Sequence, residues 1–66
     1  MNFSNREKAN EAQRELVYRQ FVYSKRVMEG KMKRAQADRQ IALMTEIYED
    51  YCTLAAAEEE AGRLQF

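Results

Sequence analysis

A chain that has no proline and only two glycines has few places to turn. Without proline nothing kinks or ends a helix from within. Gly30 lies near mid-chain, between two segments that both read as amphipathic helix. Glycine takes the left-handed conformation that closes a helix at little steric cost. Lys25 and Arg26 fall in the turn before it, where cations suit the negative end of the helix dipole. After it Ala35, Ala37, Ile41, Ala42, Leu43 and Met44 restart a helical pattern. Gly30-Lys31-Met32-Lys33 is therefore read as a connection, with the turn at residues 29–33. Lys33 stands at the next cap position, where Ser, Thr, Asp or Asn is expected, so that boundary is loose by a residue or two. A connection this short makes the flanking helices antiparallel neighbours. The predicted fold is all-α, an antiparallel two-helix hairpin spanning about 5–29 and 34–61, as a single domain over residues 1–66.

The start of the first helix is signalled by Ser4-Asn5-Arg6-Glu7, a capping box with Ser4 as cap and Glu7 three residues on. Phe3 precedes the cap, where a hydrophobic staple begins, but its expected mate is Lys8. Ala9, Gln13, Leu16, Gln20, Tyr23 and Val27 then recur at spacings of four and three, a coiled-coil seam. A second column, Val17, Phe21, Ser24 and Met28, runs beside it. Residues 16–23 are also rich in strand formers, but their flanks are helical and lack turn signals. In the second helix the seam is Ala37, Ile41, Met44, Tyr48, Tyr51, Ala55 and Glu58, flanked by Leu43, Ile47 and Leu54. Gly62 reads as a stop. Leu64 and Phe66 are expected to cluster with Phe3 at the open end, over Ala9 and Ala55 or against a dimer mate.

Pairing the seams so that facing residue numbers add to 64 sets every seam position of one helix against a seam position of the other. Ala9 then meets Ala55, Leu16 meets Tyr48, and Tyr23 meets Ile41. A lone hairpin leaves Val17, Phe21, Met28, Leu43, Ile47 and Leu54 in water. Each such side chain forgoes about 1.5–3 kcal/mol of burial. A chain of 66 residues rarely builds enough core alone. These six residues are therefore expected to form a dimer interface, two hairpins making a four-helix bundle.

Chemistry is constrained by what is missing. The sequence has one cysteine, Cys52, and no histidine, which excludes an intrachain disulfide and the common zinc sites. It has no glycine-rich phosphate loop. No catalytic residue, metal or cofactor is expected, and the protein is read as a non-enzyme. Glu46, Glu49 and Asp50 read as a solvated face, and Cys52 as an inert thiol at the edge of the apolar face. No signal-peptide pattern opens the chain and no apolar run approaches the roughly 18 residues of a membrane span. A cytoplasmic protein without membrane contact is expected. Net charge is zero, but residues 1–40 carry ten Lys/Arg against five Asp/Glu, and residues 41–66 one against six. Such asymmetry reads either as a charged contact surface or as two helices complementing each other.

Gln13 and Gln20 are polar within an apolar seam. They read as half-open boundary positions or as a device that selects register and oligomer state. Arg14, Tyr18, Val22 and Arg26 step by four along the first helix, away from both apolar columns, with Arg19 and Lys25 beside them. Tyrosine and arginine are frequent binding hot spots, so this stripe is the candidate partner-binding site. The same residues could hold RNA through phosphate contacts and stacking, and isolated exposed apolar residues are also ordinary. A second basic cluster, Lys25, Arg26, Lys31, Lys33, Arg34 and Arg39, surrounds the turn.

The segment Gly30-Lys31-Met32-Lys33-Arg34-Ala35-Gln36-Ala37-Asp38-Arg39-Gln40-Ile41-Ala42-Leu43-Met44 resembles one found in short phage and prophage proteins without assigned activity. There it reads roughly Gly-Arg-Met-Thr, then Ala-Asp-Arg-Arg-Ile-Ala, then Met-Glu, and here Lys33 replaces the capping Thr. The resemblance implies a phage setting and no particular chemistry. The architecture is also similar in shape to the Rop-type hairpin dimer that binds RNA, a likeness that carries no residues across. Two function classes are thus expected to compete. One is a protein-binding module, an adaptor or inhibitor of a host factor. The other is a nucleic-acid-binding hairpin, disfavoured by a sequence pI near 6.3.

Overall fold

A computed structural model of the chain describes residues 2–63. It consists of α1 (Asn5–Met28) and α2 (Arg34–Arg63), packed against each other as an antiparallel hairpin, with no strand among the described residues. Leu64 and Phe66, expected to join Phe3 in a terminal cluster, lie outside the described residues. Phe3 itself is exposed.

The first helix is closed at both ends by its own sequence. At its start the Glu7 N–H donates to Ser4 Oγ at 3.1 Å, and the Ser4 N–H donates to Glu7 Oε1 at 3.2 Å. Both halves of the capping box are formed. At its end Gly30 takes φ 73°. The Lys31 N–H reaches back to the Arg26 carbonyl at 2.8 Å, and the Gly30 N–H to the Val27 carbonyl at 3.1 Å. That pair of bonds is the Schellman motif, which satisfies the carbonyls a helix end leaves orphaned.

The second helix has no acidic residue in its first turn. The Lys33 carbonyl accepts the Ala37 N–H at 3.0 Å and begins the helical ladder. At the other end α2 continues through Gly62 to Arg63, so the stop expected at Gly62 is not used. A glycine closes a helix by adopting positive φ, and among the described glycines Gly30 alone does so.

The core is narrow. Ala9, Ala12, Leu16, Ala37, Met44 and Ala55 are buried. Ile41 and Tyr48 pack against the cluster of Ala12, Leu16 and Met44. Ala9 and Ala55, expected to face each other, are both fully buried. The seam of α2 lies where its period predicts it from Ala37 to Ala55, whereas Glu58, expected to continue it, is exposed. In α1 the seam differs by one residue at two rungs. Ala12 is buried and Arg19 half-buried, whereas Gln13 and Gln20 are exposed. Gln13 and Gln20 are therefore not a buried register device within the hairpin. The reason is angular: Ala9, Leu16 and Tyr23 belong equally to a row through 12 and 19 and to a row through 13 and 20, and α2 chooses between them.

Candidate interaction surface

Cross-helix contacts define the two sides of the hairpin. Successive helical residues lie 100° apart, so Asn5 and Arg6 straddle the line of contact, as do Glu58 and Glu59. Asn5 Nδ2 donates to Glu58 Oε2 at 2.7 Å. On the same side the Lys8 ammonium lies 5.7 Å from the Tyr51 ring centre. Farther along, Arg19 Nη1 donates to the Gln40 carbonyl at 3.0 Å. On the other side Arg6 Nε and Nη2 donate to the two carboxylate oxygens of Glu59, both at 3.1 Å. Cys52 and Tyr48 lie near Arg6 there. Cys52 pushes the Tyr48 hydroxyl above its ordinary pKa, chiefly by side-chain hydrogen bonding and then by charge.

The six residues expected at a dimer interface are all exposed in the hairpin. They do not share one face. Leu43, Ile47 and Leu54 stand three or four residues from Gln40 or Tyr51 and so lie on the Arg19 side. Val17, Phe21 and Met28 follow from Arg6 by steps of three and four and lie on the Arg6 side. The cause is a sign. In α1 the apolar column follows the expected seam by one residue, as Val17 follows Leu16. In α2 it precedes the seam by one, as Leu43 precedes Met44. Opposite rotations about antiparallel helices put the two columns on opposite sides. A single two-fold packing therefore cannot cover all six, as the four-helix bundle was expected to do.

The α1 column is the more exposed, with Phe21 at 76% and Met28 at 85%. The α2 column is set lower, Ile47 at 36%, and borders shallow depressions. One, of about 420 Å³, is lined by Ile47, Asp50, Tyr51 and Leu54. Another, of about 260 Å³, is lined by Arg39, Ala42, Leu43 and Glu46.

The Arg14, Tyr18, Val22 and Arg26 stripe is not a single outer face either. Each step of four advances 40° around a helix, so four members sweep about 120°. Arg14 and Tyr18 are exposed, and Arg14 bonds Glu11 at 3.2 Å. Val22 is half-buried, turned toward α2 on the Arg19 side. Arg26 is exposed and its guanidinium lies 5.8 Å from the Tyr23 ring centre. Sequence reasoning also passed over Arg19 as a packing residue. Its apolar stem crosses the helix contact while its head is held by Glu15 at 3.0 Å and by the Gln40 carbonyl, the behaviour of a long amphipathic side chain.

Folding rearranges the charge. The contrast between residues 1–40 and 41–66 becomes a contrast between two ends of a rod with extents of 56 × 19 × 17 Å. The half near the turn, residues 18–46, carries seven Lys/Arg against three Asp/Glu. The half near the open end, residues 2–17 and 47–63, carries four against eight. The halves thus bear formal charges of about +4 and −4 by this count.

Among the described residues no group of three His, Cys, Asp or Glu side chains gathers in a way that could hold a metal ion. No described helix is long and apolar enough to cross a membrane. Comparison with family models, curated proteins and solved structures finds no match to this chain.

Proposed function

We propose that the protein is a small non-enzymatic protein-interaction module of the cytoplasm, which acts as a homodimer and presents a second apolar surface to another protein. In the phage setting that the turn segment suggests, this means an adaptor or an inhibitor of a host factor. One observation carries the reading. Leu16 and Met44 are the only large side chains in the buried core among the described residues, and neither is fully enclosed, whereas eight large apolar side chains stand outside. Each forgoes about 1.5–3 kcal/mol while it remains in water. Exposed apolar area of this extent marks contact surfaces. On the outer face of α1, Arg14, Tyr18 and Phe21 supply an aromatic patch with a cation beside it, the composition of binding hot spots.

A second reading, nucleic-acid binding, draws on the cations gathered around the turn. The eight carboxylates of the opposite half and the absence of net charge weigh against it. The test is affinity capture from a host lysate, with and without nuclease, using the wild type and an Arg14→Ala/Tyr18→Ala variant. A protein partner that resists nuclease and is lost with the variant supports the module. Recovery dominated by nuclease-sensitive RNA or DNA overturns it.

A further inference from the structure

The two poles and the position of the α2 column together determine how a second copy fits. Leu43, Ile47 and Leu54 are centred between positions 48 and 49. In the hairpin register that point lies opposite residues 15 and 16 of α1, midway between open end and turn. A strip centred at mid-length can meet its own copy about a two-fold axis with the rods overlapping along their whole length. The α1 column cannot. Val17, Phe21 and Met28 are displaced toward the turn, so self-pairing there would leave both open ends overhanging.

A two-fold on the Leu43–Leu54 side has two settings. The turns lie at the same end or at opposite ends. With turns together, each group of seven cations adjoins its copy, and each group of eight carboxylates does likewise. Like charges brought within a Debye length of about 8 Å repel. With turns apart, each positive half lies along a negative half. Arg39, near the turn, then faces Glu58 of the other copy across the central pair of Ile47 side chains. The overlap of two helical pairs roughly 36 Å long, given 24 residues in α1, and 19 Å wide encloses on the order of 1,400 Å² in total, within the range of stable protein interfaces.

We infer that a second copy of this chain packs antiparallel on the side bearing Leu43, Ile47 and Leu54, with its turn beside the first copy's open end. The inference rests on the homodimer reading above. It also leaves Val17, Phe21 and Met28 on the far side of each copy, two apolar strips facing away from each other and open to partners.

The test is a distance between spin labels in a full chain carrying Cys52→Ser and Lys31→Cys, which places one label at each turn. Turns apart give a separation of about 45 Å, the length of some thirty residues of helix. A separation below about 25 Å means turns together. That result overturns the arrangement and leaves the dimer standing. Absence of any pair signal at tens of micromolar overturns both. An Ile47→Glu chain supplies the control. Ile47 lies outside the buried core, so loss of the 45 Å signal with helical circular dichroism retained supports the interface, and an unchanged signal overturns it. In the same way Phe21→Glu should leave the 45 Å distance in place, and its loss would shift the interface to the α1 column.

Discussion

The two ends of the hairpin are held by different means. At the turn the backbone does the work. Gly30 at positive φ and the two Schellman bonds close α1, and the chain itself joins the helices. At the open end nothing covalent holds α1 to α2. There the fully buried Ala9 and Ala55 bring the helices together, and Asn5–Glu58 and Arg6–Glu59 tie them on either side. A short connection fixes orientation cheaply because it costs little loop-closure entropy. The far end, some two dozen residues away, must be fixed by contacts that fit.

The largest expected effect follows from that fit. Ala55→Leu forces a bulky side chain into a site with no free surface and should lower stability by about 1–3 kcal/mol. Ala57→Leu, on the exposed surface of the same helix, should stay within about 0.5 kcal/mol of wild type. Denaturant midpoints at one protein concentration read both, since the midpoint of any chain that self-associates depends on concentration. Equal effects at the two positions would mean that the close approach of Ala9 and Ala55 does not hold the open end.

Why was the turn so legible and the surface less so? Gly30, the missing prolines and the Ser4/Glu7 pair are local signals, and each acts through the backbone of its own neighbourhood. They place the turn at 29–33 and start α1 at Asn5. In α2 the seam carries Ile41, Met44, Tyr48 and Tyr51, large residues whose period has one solution. In α1 the rungs between Ala9, Leu16 and Tyr23 hold Ala12 or Gln13, and Arg19 or Gln20. No hydrophobicity scale puts Arg19 inside, because its contribution is a stem across the contact and a bond to the Gln40 carbonyl, visible only once α2 is in place. The division of the apolar columns was present in the numbering as offsets of opposite sign. Reading it requires the antiparallel geometry, not the periodicity of either helix alone.

The glycines offer an intermediate effect of opposite sign at the two ends. At neither would an added Cβ meet a neighbouring atom within 4 Å, so backbone conformation alone decides. Gly30→Ala must place an L-residue at φ 73° and should cost about 1–2 kcal/mol. Gly62→Ala, inside α2 and without positive φ, should gain roughly 0.5 kcal/mol by restricting the unfolded chain. Thermal midpoints that move down and up respectively would confirm that only one glycine is a structural stop. A loss at Gly62 would mean that α2 ends there through a left-handed cap after all.

The smallest effect concerns the tie at the open end and is a matter of pH. The Arg6 guanidinium lowers the Glu59 pKa below its ordinary value of 4.5, first by hydrogen bonding, against a smaller opposing effect of burial. A carboxylate whose folded pKa is depressed stabilises the fold fully above the unfolded value, and that stability is lost as pH falls through the folded pKa. The difference in unfolding midpoint between wild type and Glu59→Gln should therefore be constant from neutral pH down to about 4.5, then shrink toward zero as the medium becomes more acid. Both side chains are about half exposed, at 44% and 50%, so the difference should be small and should also shrink with added salt. A difference that survives at acid pH or in high salt would show that the charge pairing with Arg6 is not what Glu59 contributes. In that case the open end would be held by the alanine contact and Asn5–Glu58, and the comparison between the two ends would become one of backbone against packing alone.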